Sequence, residues 1–200
     1  MKTDPEAHKR MTQRHKAGFE KKKAAAQNEK GLLMVYTGTG KGKSTAAFGM
    51  GLRALGHGMK LGVVQFIKGA LQSAERNVLG SNPNCDFHVV GAGYTWNTQD
   101  READMATAAR GWTEAIRMID DPAYDMIILD ELNIVLKYRY LGLEEVLAAF
   151  KNRREMLHIV VTGRHAPPDL IELADLVSDI RPVKHPYQEQ GIKAQKGVEF

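Results

Sequence analysis

Cysteine is nearly missing: Cys85 is the single one in 200 residues. That excludes an internal disulfide, and with it any cysteine cluster for zinc or an iron–sulfur centre. Long apolar runs are missing too. None approaches the ~18 residues of a membrane span, and the first residues lack the apolar stretch of a secretory signal. No Ser-His-Asp or Cys-His arrangement is visible. His57, His88 and His158 show no ligand spacing, His165 and His185 are weak candidates, and no histidine is assigned a role. Internal repeats and low-complexity linkers are also absent. What remains is one ordinary domain's length of chain, 43% apolar, with the composition expected of a cytoplasmic enzyme.

Charge is scarce in the main body and concentrated in a leader. The chain carries +4 overall, yet residues 1–30 hold nine Lys/Arg against four Asp/Glu. Beyond them the nineteen basic and twenty acidic residues nearly cancel. The high pI therefore does not argue for nucleic-acid binding by the main fold. Residues 5–30 read as a polar Ala/Lys/Gln-rich helix with few apolar anchors, Met11 and Phe19, which cannot build a core alone. The expected division is a basic helical arm over 1–30 and an α/β domain over 31–200. The arm is either a solvated tail or a segment that orders over a site or a partner.

The most informative stretch is 32–45. An apolar run, Leu32 to Tyr36, feeds Thr37-Gly38-Thr39-Gly40-Lys41-Gly42-Lys43-Ser44-Thr45, and a helical stretch follows to Leu55. Strand, glycine-rich loop and helix in that order make a phosphate-binding loop. The glycines let successive N–H groups turn onto an anion, and the helix N-terminus adds its orphan donors. Lys43 supplies a point charge, and Ser44 or Thr45 a hydroxyl for a magnesium ion. The pattern G-x-x-x-x-G-K-[ST] is broken at its first place, where Thr37 replaces glycine, and Lys41 is an extra lysine.

From Leu32 onward β-runs alternate with helical stretches. Strands are expected at Leu32–Thr37, Leu61–Ile67, Phe87–Val90, Met126–Asp130 and His158–Thr162, with a shorter one between Leu176 and Val183. Helices are expected at Ser44–Leu55, Arg101–Asp120, Leu143–Asn152 and Pro168–Ala174. Several strands are apolar throughout, as in parallel sheets buried on both faces. The expectation is a doubly wound, mostly parallel α/β fold, with the loops after the strands converging on one site.

Met126-Ile-Ile-Leu-Asp130-Glu131 ends one of these strands in two carboxylates, one of which can reach a metal beside the phosphate loop. Lys68 closes the second strand, Arg53 lies on the helix after the loop, and Arg164 follows the fifth strand. All three are candidate nucleotide contacts. Gly91-Ala92-Gly93-Tyr94-Thr95-Trp96 sets two large aromatics on glycine hinges, which suits stacking on a flat ligand or pinning the loop to the core. The residues alone leave three readings open: a group transferase, a RecA-like ATP hydrolase or kinase, and a nucleotide-switched binding module.

The chain resembles the bacterial P-loop ATP:corrinoid adenosyltransferases. The resembling segments are Thr37–Gly49, Arg53–Gly58, Gly62–Gly69, Gly93–Gln99, Arg101–Asp104, Leu129–Leu132, Val161–Arg164 and Arg181–His185, in the family's order. Thr37 in the phosphate loop is itself a family trait. The resemblance implies a RecA-like fold, a homodimer, and transfer of the 5′-deoxyadenosyl group of ATP to Co(I) of a corrinoid with release of triphosphate. It implies Mg²⁺ or Mn²⁺ held by Ser44 and Glu131, and nucleotide contacts from Gly38 through Thr45, Arg53, Lys68 and Arg164. Lys43 and Glu131 would act in catalysis. Trp96 and Tyr94 would help displace the corrinoid's lower ligand, Tyr94 standing where the family commonly has Phe. The N-terminal helix would cover the corrinoid, and a reduced flavodoxin-like protein would supply the electron. No nucleic acid or membrane partner is implied.

Overall fold

The computed structural model describes residues 4–67, 74–90 and 100–198. Its contacts divide the chain into two compact units, Met1–Lys30 and Gly31–Phe200.

The first unit is one helix, α1 (Pro5–Ala25). Asp4 caps it through Glu6 N–H, Pro5 opens it, and Lys22 and Lys23 sit in its last turn, where cations suit the helix dipole. It buries no residue. Met11 and Phe19 are 54% and 68% exposed, so the helix contributes no core.

The second unit is a six-stranded sheet, β1 (Leu33–Thr37), β2 (Leu61–Gln65), β3 (Cys85–Val89), β4 (Met126–Asp130), β5 (His158–Thr162) and β6 (Leu176–Asp179). The spatial order is β3-β2-β4-β5-β1-β6, and every pairing is parallel. The helices are α2 (Lys43–Gly56), α3 (Ala74–Gly80), α4 (Arg101–Asp120), α5 (Leu132–Lys137), α6 (Leu143–Lys151), α7 (Pro168–Leu173) and α8 (Pro186–Gln190).

Side chains alternate across the pleat and build two cores. Met34, Leu61, Val63, Ile128 and Val160 pack with Ala47, Phe48 and Ala54 of α2 on one face. Leu33, Val35, Val64, Ile127, Leu129, Ile159 and Val161 pack with α4, α5 and α6 on the other. Because both faces are covered, the central strands are apolar through their middles, with polar residues such as Gln65, Asp130 and Thr162 at their C-terminal ends. Burying each such Val, Leu or Ile stabilises the fold by about 1.5–3 kcal/mol.

The doubly wound parallel sheet is as the sequence predicts, with three adjustments. The third strand starts two residues earlier than expected, at Cys85, which is buried, and burial pushes its thiol up to about 11. β2 ends two residues earlier than expected, at Gln65. Helices α3, α5 and α8 were not anticipated. With seven, six and five residues they are too short to show a helical period; α3 persists because it buries Leu79 and α5 because it buries Leu132, Val135 and Leu136, while α8 buries nothing and is opened by Pro186.

Candidate active site

β1 and β4 flank β5, so their C-terminal ends lie one strand apart. The phosphate loop leaves β1 and turns into α2, whose N-cap Gly42 has φ 108°. Lys43 opens the helix and is only 7% exposed; its Nζ donates to the Gly40 carbonyl at 2.6 Å. An ammonium has three donors, so this one bond leaves capacity for an anion. Burial lowers its pKa from the ordinary lysine value, Glu131 pulls it back up, and Arg164 pushes it further down. Lys43, Glu131, Arg164, Asp130 and Lys41 therefore share one electrostatic neighbourhood.

The loop's shape is held from behind by the chain after β6. Gly40 N–H donates to the Ile180 carbonyl at 2.7 Å, and Ile180 N–H to the Thr37 carbonyl at 2.9 Å. Gly38 sits at φ 96°, where a Cβ would collide with the Asp179 carboxylate and the Ile180 carbonyl. Thr37, the departure from the loop pattern, has a structural task. Its Oγ1 accepts the N–H of Ala166 at 3.2 Å and ties the phosphate loop to the segment after β5.

The two carboxylates at the end of β4 have different surroundings. Asp130 is fully buried; it accepts from Gln65 Nε2 at 2.8 Å and from Thr162 Oγ1 at 2.7 Å. Glu131 is half-buried and turns the chain sharply at φ 63° into α5, its N–H donating to Thr162 Oγ1 at 2.9 Å. Gly163 sits at φ 127°, and a Cβ there would stand 2.9 Å from Asn133 Cβ and 3.2 Å from Glu131 Oε2, so a larger residue would crowd this turn. Asn133 on α5 is fully buried beside it and donates from Nδ2 to the Gly163 carbonyl at 2.9 Å; its Oδ1 has no partner.

The structure brings together Gly38, Thr39, Gly40, Lys41, Gly42, Lys43, Ser44 and Thr45 as one loop and helix start, with Glu131 and Arg164 in the field of Lys43. Arg53 is not in the field of Lys43. It lies exposed in the last turn of α2, ten residues or about 15 Å along the axis from Lys43, because the helix runs away from the loop. Its charge acts instead on the Tyr36 hydroxyl. Lys68, Tyr94 and Trp96 lie outside the described residues. Gln65, Thr162, Asn133 and the Asp179–Ile180 brace were missed. Gln65 and Thr162 could have been found, since each is a polar residue at the end of an otherwise apolar strand.

Among the described residues no group of three or more His, Cys, Asp or Glu is placed to hold a metal ion. Ser44, half-buried in the first turn of α2, and Glu131 are hard oxygen donors at the loop. They fit a magnesium-like ion that takes its remaining ligands from phosphate and water.

A glycine-rich loop between strand and helix, with a buried lysine and a carboxylate-ended strand beside it, defines a P-loop nucleotide-binding α/β protein. Comparison with known proteins narrows the class. Residues 29–200 match the family described as ATP:corrinoid adenosyltransferase BtuR/CobO/CobP. The chain is 51% identical over 194 residues to the corrinoid adenosyltransferase of Pseudomonas aeruginosa, covering 96% of this chain and 95% of that one. It is 46% identical to that of Escherichia coli K12 and 45% identical to that of Salmonella typhimurium, each with 98% of both chains covered. The chain belongs to the ATP:corrinoid adenosyltransferase family.

Proposed function

We propose that this enzyme, an ATP:corrinoid adenosyltransferase, uses the loop Gly38–Thr45 to hold the triphosphate of ATP as a leaving group. The observation that carries the reading is the buried Lys43 at the mouth of a braced phosphate loop, one strand from Glu131, in a chain of this family.

Co(I) in the corrinoid substrate is a strong nucleophile. It attacks C5′ of ATP, the C5′–O bond breaks, and triphosphate leaves with the bonding pair while cobalt is oxidised to Co(III). No protein base has to remove a proton. The protein's work is electrostatic: the loop's backbone N–H groups other than that of Gly40, which is held by Ile180, together with the Lys43 ammonium and Arg164, face the charge that develops on the leaving oxygen. Asp130, locked by Gln65 and Thr162, holds the end of β4 in place, while Glu131 is left to face the loop. Ser44 and Glu131 would hold Mg²⁺ or Mn²⁺, which when bound adds positive charge against the triphosphate.

Trp96 and Tyr94 are assigned to the wall that excludes the corrinoid's lower ligand and makes Co(II) easier to reduce. Lys68 is assigned to the nucleotide. A reduced flavodoxin-like protein supplies the electron, the basic arm over 1–30 covers the corrinoid, and the working assembly is a cytoplasmic homodimer. Support for these assignments is the resemblance of the motif segments and the full-length similarity to named corrinoid adenosyltransferases. No helix among the described residues is long and apolar enough to cross a membrane.

The test is product identity with ATP and a reduced corrinoid. Triphosphate and a light-sensitive Co–C bond in equal amounts are expected. ADP and phosphate with no alkylated cobalt would instead establish a hydrolase or kinase.

A further inference from the structure

A cavity of about 750 Å³ is lined by no residue of the phosphate loop. It opens between the start of α4, the chain from α5 to α6, and the segment His165–Pro168. Its volume is in the range of small-molecule sites. Two connections make it part of the active edge. Ala166 lines the cavity and donates its N–H to Thr37 at the root of the phosphate loop. Glu131 opens α5, and Leu136 and Lys137 at the other end of that helix line the cavity. One short helix thus carries the carboxylate facing ATP and a wall of the second chamber.

The lining is chemically one-sided. It holds Lys137, Arg139 and His165 and no Asp or Glu, although the whole chain has 24 acids. The rest is apolar or aromatic, including Met105, Leu141 and Tyr140. Asp104 bears on it from outside the lining, engaged with the Tyr140 hydroxyl. Arg101 braces the rim from outside: it donates to the Tyr138 carbonyl at 3.2 Å and the Arg139 carbonyl at 3.4 Å, with its guanidinium over the Tyr140 ring at 5.5 Å.

Backbone strain singles out the same place. Three non-glycine residues among those described have positive φ: Glu131 at 63°, Arg139 at 56° and His165 at 59°. One faces the phosphate loop, and the other two are cationic or titratable residues of this cavity. Such conformations cost about 1–3 kcal/mol each and cluster at functional sites.

We infer that this cavity receives anionic oxygens carried on the periphery of the corrinoid substrate, with Lys137 and Arg139 as the residues that select for them. The inference rests on the adenosyltransferase reading above and adds a substrate preference to it. The same chemistry has two sources, free side-chain carboxylates of an incompletely amidated corrinoid and the phosphodiester of a lower-ligand loop. A corrinoid whose side chains are all amides and that lacks the loop offers neither.

The experiment compares these three corrinoids with Lys137→Gln, Arg139→Gln and the double variant, measuring kcat/KM for Co–C bond formation and Co(II)-corrinoid affinity by absorbance. In the wild-type enzyme at least one anionic corrinoid is favoured over the neutral one, and its KM rises with added salt while that of the neutral corrinoid does not. In the double variant that preference falls by about tenfold, as expected for loss of charge-assisted contacts worth about 1.4 kcal/mol. Loss confined to the carboxylate or to the phosphodiester compound identifies which source the cavity reads. The salt series on the wild type stands even where a variant folds poorly. An unchanged preference in a folded double variant, or wild-type KM values for all three corrinoids that are equally insensitive to salt, overturns the inference. Failure of the wild type to form any Co–C bond overturns the parent reading instead.

Discussion

The hydroxyl of Thr162 donates to the buried carboxylate of Asp130 at 2.7 Å. The same oxygen accepts the N–H of Glu131 at 2.9 Å, so one side chain on β5 fixes both acids at the end of β4. It anchors the backbone that holds Glu131 in its left-handed conformation.

Thr162→Val keeps the shape and removes both bonds. Leaving a buried carboxylate short of a donor costs about 1–3 kcal/mol, so the melting temperature should fall. More diagnostic is the metal requirement: the concentration of Mg²⁺ or Mn²⁺ for half-maximal rate should rise several-fold, with Thr162→Ser close to wild type. A stability loss with an unchanged metal requirement in Thr162→Val would show that Glu131 does not depend on this hydroxyl.

Lys43 should make ATP binding pH-dependent. Burial lowers its pKa from the ordinary value of 10.5, and a bound triphosphate stabilises the charged form. Proton uptake therefore accompanies ATP binding at alkaline pH. Affinity should be flat at neutral pH and decline as pH rises through the lowered pKa of the free enzyme, by up to about tenfold per pH unit. Calorimetry in buffers of different ionisation heat reads the proton directly. Lys43→Ala should lose both the affinity and the proton linkage; near-normal ATP binding in that variant refutes the assignment.

Trp96→Ala separates making Co(I) from using it. Activity should fall strongly when Co(II) corrinoid is supplied with a protein or flavin reductant, and much less when Co(I) is generated chemically beforehand. Tyr94→Phe keeps the ring and should be mild. Equal losses of Trp96→Ala in both assays would reduce Trp96 to holding the fold or the substrate pose.

Removing residues 1–30 should leave ATP affinity and the melting of the main unit intact, since no residue of α1 is itself buried and Gly31–Phe200 is a compact unit with its own core. Corrinoid KM should rise or turnover fall. A truncated enzyme with wild-type corrinoid kinetics would make the arm a solvated tail.

The sequence by itself determined the sheet and the phosphate loop. Met126–Leu129 and Ile159–Val161 are apolar at consecutive positions because both faces of a parallel strand are covered, so their pattern is local and readable. The loop is equally local, since glycines, lysine and hydroxyl must follow one another to surround a phosphate. What only the tertiary structure decided lies in contacts between residues far apart in the chain. Thr37 looked like a flaw in a motif until Ala166, 129 positions away, was found bonded to it. Asp130 and Glu131 were adjacent and alike until Thr162 and Gln65 immobilised one and left the other facing Lys43. That Arg53 stands exposed at the far end of α2 from Lys43 was equally hidden, because spacing along a sequence does not show where a helix carries its far end. The cationic cavity was invisible for the same reason. Lys137, Arg139 and His165 come from two separate strand-end segments, and only the adjacency of β4 and β5 turns them to one chamber.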